Sequence, residues 1–230
     1  MTAGGIAPHI EALADDAWLL RFAPGDDANA RAHALAARLR GEAPVWLRDL
    51  VPGWDSLGVC FDPAAVPADD VRAWLLAHRD DVPAAATATA PVVEIPMRYG
   101  GDHGIDLDDA ADALGLSPAQ LIERHAAPLY TVAMIGFAPG FPYLAGLDPA
   151  LALPRLATPR SRVPAGSVGI GGAQTGIYPR ESPGGWRLLG RTPLRLFDPA
   201  RASPSLLAPG DRVRFVAIDD ATFAALERGA

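Results

Sequence analysis

Lysine is absent from this chain of 230 residues, and all 20 basic side chains are arginine. The chain therefore has no P-loop lysine, no Schiff-base lysine and no biotinyl-lysine, and chemistry that needs one must come from another polypeptide. Cys60 is the single cysteine, so no internal disulfide can form. No apolar run approaches the roughly 20 residues that span a bilayer. The opening stretch, MTAGGIAPHIEALADDAWLL, lacks a basic segment followed by an apolar core, so it does not read as a signal peptide. These absences together predict a cytoplasmic protein with no membrane partner. A formal charge of −7 argues against nucleic acid as the ligand. No His/Cys/Asp spacing matches a metal site, and no GxSxG elbow is present.

What is present supports a packed core, since half of the residues are hydrophobic and a fifth are charged. The first 80 or so residues alternate short strands and helices. Trp18–Phe22 reads as a strand, and Ala28–Arg40 as a helix with Ala28, Ala32, Leu35 and Leu39 on one face and Gly41 as its stop. Val45–Val51 and Leu57–Phe61 read as strands around the Pro52-Gly53 turn. A second helix near Asp69–His78 carries Val71, Trp74, Leu75 and His78 at helical spacing. That order predicts a ferredoxin-like, split βαβ domain over residues 1–82. The Pro/Ala/Thr-rich stretch 83–91 reads as a linker, and a second domain occupies 92–230.

The second part begins with an alternating strand, Val92–Tyr99, in which Pro96 implies an edge or a bulge. Two helices follow, at about Asp108–Leu114 and Pro118–His125, the latter opened by Ser117, Pro118 and Gln120 as a capping box with an N1 proline. From Tyr130 the pattern is β: Tyr130–Phe137, Trp186–Phe197 and Arg212–Ile218, with a short helix after Asp220. The fold class is therefore α+β.

Eleven of the 23 glycines fall between Gly136 and Gly190, a quarter of the chain. Such clusters mark tight turns or close backbone approach. The aromatics Phe137, Phe141, Tyr143, Tyr178 and Trp186 lie among them and can wall a pocket. Arg160, Arg162, Arg191, Gln174 and Ser167 supply donors for a carboxylate or amide. Plain barrel packing would also account for most of these residues one by one, but arginines and Gln174 are a poor choice for plain core. The nucleotide loops are missing: there is no GxxxxGK[ST], and Gly169-Ile-Gly171-Gly-Ala-Gln174 departs from GxGxxG at its last position. His125, at a helix end, suits either a helix C-terminal cation or a general acid/base.

The runs His125–Tyr130 (HAAPLY), Gly136–Leu144 (GFAPGFPYL), Arg162–Pro179 (RVPAGSVGIGGAQTGIYP) and Ser182–Pro193 (SPGGWRLLGRTP) together resemble the carboxyltransferase C/D-type domain. That family includes the B component of 5-oxoprolinase, allophanate hydrolase subunit 1, part of urea carboxylase and the kinase inhibitor KipI. The resemblance implies a cyclophilin-like β-barrel in the second domain and one component of an ATP-dependent lactam hydrolase that opens 5-oxo-L-proline to L-glutamate. It implies a hetero-oligomer with a subunit 2 protein (the KipA-like C component) and a lactam-utilisation-type A component, and ATP consumed on a partner rather than bound tightly here. A KipI-like binding protein and an allophanate or urea component are the alternatives. The expected site comprises His125 as acid/base, with Tyr130, Phe137, Gly140, Phe141, Arg160, Arg162, Gln174, Tyr178 and Arg191 around the substrate.

Overall fold

The computed structural model describes residues 7–25, 27–79 and 91–229. The chain divides into two compact units, residues 1–89 and 90–230. Apart from Pro91, the expected linker lies outside the described residues.

The first unit runs β1 (His9–Ala14), β2 (Ala17–Arg21), α1 (Ala28–Glu42), β3 (Leu47–Pro52), β4 (Ser56–Phe61) and α2 (Ala68–His78). Its four strands form a sheet of order β1-β2-β4-β3 with antiparallel neighbours throughout. β2 and β3 therefore run the same way on either side of β4, and α1 crosses between them: a split βαβ. The sheet gains an outer strand that the sequence pattern did not reveal, because β1 buries little beyond Ile10 and so lacks alternation. Leu57, Val59 and Phe61 of β4 share one face, as period-two geometry dictates, and pack with Leu35 and Leu39 of α1 and Val71 and Leu75 of α2. Gly41 does not stop α1, which runs on to Glu42 and ends at Ala43 with φ 27°. Arg40 donates to the Leu50 carbonyl at 3.0 Å, tying the helix end to β3.

The second unit begins with β5 (Val92–Tyr99), a short 3-10 turn at Gly101–His103, α3 (Leu107–Leu114) and α4 (Pro118–Ala126). There follow β6 (Tyr130–Ile135), β7 (Pro142–Ala145), β8 (Arg160–Val163), β9 (Ser167–Gly171) and β10 (Gln174–Ile177). β11 (Ser182–Gly184), β12 (Arg187–Arg191), β13 (Arg212–Ala217) and α5 (Asp220–Glu227) complete it. Seven strands close a barrel in the order β10-β7-β6-β13-β5-β12-β9, while β8 and β11 pair as a separate ribbon. The fold is mixed α+β with a closed barrel, consistent with the cyclophilin-like expectation. β5 and β13 are the parallel pair. β12 meets β5 only at Tyr99 and Arg98, so Pro96, which has no N–H to give, sits where β5 has β13 as its ladder partner. The barrel interior is packed side chain rather than channel: Ile95, Met97, Tyr130, Val132, Leu144, Val168, Ile170, Leu189, Val213 and Phe215 are all essentially inaccessible to solvent.

The Ser117–Gln120 capping box forms as expected, with Ser117 Oγ accepting from the Gln120 N–H and the Gln120 side chain accepting from Ser117 N–H. The strand expected over Trp186–Phe197 is shorter. It ends at Arg191, because Pro193 cannot donate to a ladder. Among the described residues, no helix is long and apolar enough to cross a membrane.

Candidate functional site

Strand alternation sorts the glycine-rich tract into an inner and an outer face. Thr175 points into the barrel and is fully buried. Gly176, next along the strand and paired with Tyr143 on β7, faces outward. Trp186 lies flat against this outer wall. A Cβ on Gly176 would stand 3.0 Å from the Trp186 ring and 3.1 Å from that of Phe141, and one on Gly171 would strike the indole nitrogen. At Gly171 the missing side chain lets the indole rest on the backbone, and at Gly176 it also clears the Pro142 carbonyl, 2.6 Å from the Cβ position.

Phe141 is the hub of the aromatic cluster that results. Its ring centroid lies 5.5 Å from Trp186, 5.2 Å from Tyr178, 4.8 Å from Tyr143 and 5.4 Å from Phe137. Most of these pairs are edge-to-face, the arrangement that aromatic quadrupoles favour. Between the rings opens a slot of about 80 Å³, lined by Phe137, Phe141, Tyr143, Tyr178, Trp186 and Arg155, with Gly184 and Gly185 completing the wall. The Arg155 guanidinium lies 5.9 Å over the Trp186 ring, a cation–π distance. Burial raises the Tyr143 and Tyr178 pKa values, so both phenols are neutral donors near pH 7. Phe137 is 61% exposed and has a φ of 63° in the tight β6–β7 turn. A bulky side chain held in that region and left in solvent is a costly arrangement without a function for it. Aromatic walls, two hydroxyl donors and one guanidinium suit the edge of a small, flat, polar ligand, and at about 80 Å³ the slot grips part of such a ligand rather than enclosing it.

Of the expected site residues, Phe137, Phe141 and Tyr178 come together in this slot. Gly140, with φ 80°, shapes the same turn, and a Cβ there would press to 2.8 Å from Phe197 Cβ. Gln174 opens β10 at the β9–β10 hairpin and is half-buried, not among the slot lining. Arg160 is bound at 2.5 Å to buried Asp106, whose second oxygen accepts from the Leu188 N–H at 2.7 Å. It is a structural ion pair holding β8 to β12. Arg162 projects from the ribbon with its side chain 75% exposed and pairs with Glu181 at 2.6 Å. Arg191 donates to the Ala165 carbonyl at 2.7 Å, outside the slot. Arg155 stands in an irregular loop, where no periodicity singles it out in the sequence.

His125 and Tyr130 belong to the core. His125 has no exposed surface and stacks on Phe215 at 4.8 Å. Its Nδ1 accepts from the Tyr99 hydroxyl at 2.8 Å, and its Nε2–H donates to Thr175 Oγ1 at 3.0 Å. The Thr175 hydroxyl in turn donates to the Gly169 carbonyl at 3.0 Å. This chain of hydrogen bonds fixes one neutral tautomer. Burial lowers the His125 pKa to about 3. The structure therefore speaks against the acid/base expectation: both ring nitrogens are occupied within the core, away from the slot. Tyr130 donates its hydroxyl to the His125 carbonyl at 2.7 Å and lines no slot. Among the described residues, no group of three His, Cys, Asp or Glu side chains could hold a metal ion.

Residues 8–207 match the family described as the carboxyltransferase domain, subdomain C and D, and the chain belongs to that family. The B component of Bacillus subtilis 5-oxoprolinase is 39% identical over 224 residues, 92% of this chain and 93% of that protein. The component of the same name from Haemophilus influenzae is 58% identical over 124 residues, 54% of this chain and 58% of that protein. The solved urea carboxylase of Kluyveromyces lactis superposes with a TM-score of 0.73 at 19% identity, covering 94% of this chain and 22% of that one, which is a likeness of fold.

Proposed function

We propose that this chain is the B component of a 5-oxoprolinase, part of a cytoplasmic complex that couples ATP hydrolysis to opening of the 5-oxo-L-proline ring. The observation that carries the reading is the identity to the Bacillus subtilis protein over nearly the full length of both chains. The aromatic slot supports it. A five-membered lactam is flat and largely apolar on its faces, with an amide and a carboxylate at its edge. The rings of Phe137 and Trp186 suit the faces, Arg155 the carboxylate, and the hydroxyls of Tyr143 and Tyr178 the ring carbonyl.

Ring opening of an unstrained lactam is unfavourable near neutral pH unless coupled to ATP. The chain has neither lysine nor a phosphate loop to hold the nucleotide, so ATP belongs on a partner. The partners are a KipA-like C component and a lactam-utilisation-type A component. Under this reading the two units are a ferredoxin-like domain whose outer strand comes from the N-terminal side, and a cyclophilin-like barrel.

The test is reconstitution. The co-purified partner proteins are assayed for ATP-dependent release of L-glutamate from 5-oxo-L-proline, with and without this chain. Turnover should require the chain. Equal rates in its absence would refute the reading, as would a complete complex that leaves 5-oxo-L-proline untouched while consuming urea or allophanate.

A further inference from the structure

A second cleft, about 350 Å³, lies on the barrel unit and shares no lining residue with the aromatic slot. Three stretches build it: Ala165-Gly166 before β9, Pro179–Glu181 after β10, and the segment leaving β12 from Arg191 to Phe197. Backbone hydrogen bonds lock them together, the Thr192 N–H to the Gly166 carbonyl at 2.9 Å and the Gly166 N–H to the Tyr178 carbonyl at 2.7 Å. Only glycine fits at 166, where φ is 81° and a Cβ would collide with the Thr192 carbonyl. The cleft is thus held in shape before any ligand arrives.

Its charge is the reverse of the molecule's. In a chain of net charge −7, the lining carries Arg180, Arg191 and Arg195 against the single carboxylate of Glu181. That carboxylate is already compensated by Arg162 at 2.6 Å. Arg191 is fixed to the wall by its bond to Ala165, by an ion pair with Glu227 at 3.4 Å and by the Phe223 ring 5.7 Å away. Arg195 shares Asp198 with Arg201, at 3.2 Å and 3.7 Å, so one carboxylate serves two guanidiniums. Among the described residues, Arg180 has no carboxylate within ion-pair distance. Arg180 and Arg195 keep unspent donors toward the cleft, Arg191 is already oriented and paired, and Pro193, Leu194 and Phe197 give the cleft one apolar wall.

We propose that this cleft binds a small oxyanion, a phosphate or carboxylate group whose carbon portion rests on the apolar wall. Guanidinium forks match both anions bidentately, and the volume reaches the lower end of the range for small-molecule sites. The proposal stands on the cleft alone and does not depend on the oxoprolinase reading.

The purified full chain is titrated calorimetrically with inorganic phosphate and, separately, with acetate at low ionic strength. Wild type is compared with Arg180→Gln, with the Arg180→Gln/Arg195→Gln double variant, and with Arg72→Gln, which removes an exposed positive charge from α2. One saturable site is expected, weakened by added salt. The double variant should lose about tenfold or more in affinity, Arg180→Gln should lose part of this, and Arg72→Gln should match wild type. The tighter of the two titrants identifies the anion. Absence of saturable binding by either anion would overturn the proposal. So would an equal loss in Arg72→Gln, or wild-type binding by a double variant that melts normally. Turnover of the complex is not read here, so failure of the cleft and failure of the oxoprolinase reading remain distinguishable.

Discussion

The indole of Trp186 lies so close to the backbone of Gly171 that a Cβ at that position would overlap the ring nitrogen. Together with the approach of Trp186 and Phe141 to Gly176, that contact gives the aromatic slot its glycine floor. Gly171→Ala should therefore displace Trp186 and cost about 1–3 kcal/mol, the range for overpacking. Gly172→Ala provides the contrast. Nothing stands within 4 Å of its Cβ position, but its φ is 67°, so it should cost about 1–2 kcal/mol from backbone strain alone and leave the indole in place. Urea unfolding gives the stabilities and tryptophan emission the ring's position. An unshifted emission in Gly171→Ala would detach the slot from its glycine floor.

Phe137 separates binding from folding. Because its ring is mostly in solvent, Phe137→Ala should change stability by no more than about 0.5–1 kcal/mol. In the reconstituted complex the same change, or Arg155→Ala, should lower kcat/KM by about tenfold or more. Full activity in both variants would move the substrate away from the slot.

The fold was legible where burial imposes a period. α1, α2, β4 and β5 each bury one face, and their residues alternate or recur accordingly. β1 was missed because Ile10 is its one buried residue, leaving no pattern to detect. Gly41 resembles a helix stop in composition alone. It lies inside α1 with open space around its Cβ position, so Gly41→Ala should stabilise the chain by about 0.5–1 kcal/mol. A thermal melt that falls instead would contradict the helical assignment. The site was half legible. Aromatics crowded among glycines announced the slot, but sequence cannot tell an arginine that faces a ligand from one tied to an internal carboxylate.

Arg160 and Arg162 make that distinction measurable, since they are two residues apart and were expected to act alike. Arg160→Ala would leave the carboxylate of Asp106 buried without its partner, and breaking a buried pair in this way costs about 3 kcal/mol. Arg162→Ala removes a largely exposed pair, worth about 0–1 kcal/mol. Chemical denaturation of the two variants should differ by that margin, with activity of the complex near wild type in Arg162→Ala. Similar stabilities would place Arg160 outside the structural role assigned to it.

His125 gives the fold a defined acid sensitivity. In the unfolded chain an imidazole takes up its proton near pH 6.5, whereas in the folded barrel burial holds it off until about pH 3. Above pH 6.5 both states carry a neutral ring and the stability contribution is fully present. As the pH falls below 6.5, the unfolded chain binds the proton and the folded one does not, so stability is lost through the window down to about pH 3. The slope should approach about 1.4 kcal/mol per pH unit once the unfolded imidazole is mostly charged. His125→Leu removes the titrating group. It strands the Tyr99 hydroxyl that donates to Nδ1 at 2.8 Å, so at pH 8 it should destabilise by about 1–3 kcal/mol. Between pH 6 and pH 4.5, however, its unfolding free energy should fall less steeply than that of wild type, by up to the same slope per unit. Urea unfolding at half-unit pH steps reads both quantities. Parallel curves for wild type and His125→Leu would mean that the imidazole is not held neutral in the barrel core, and that the acid/base reading of this residue should be reopened.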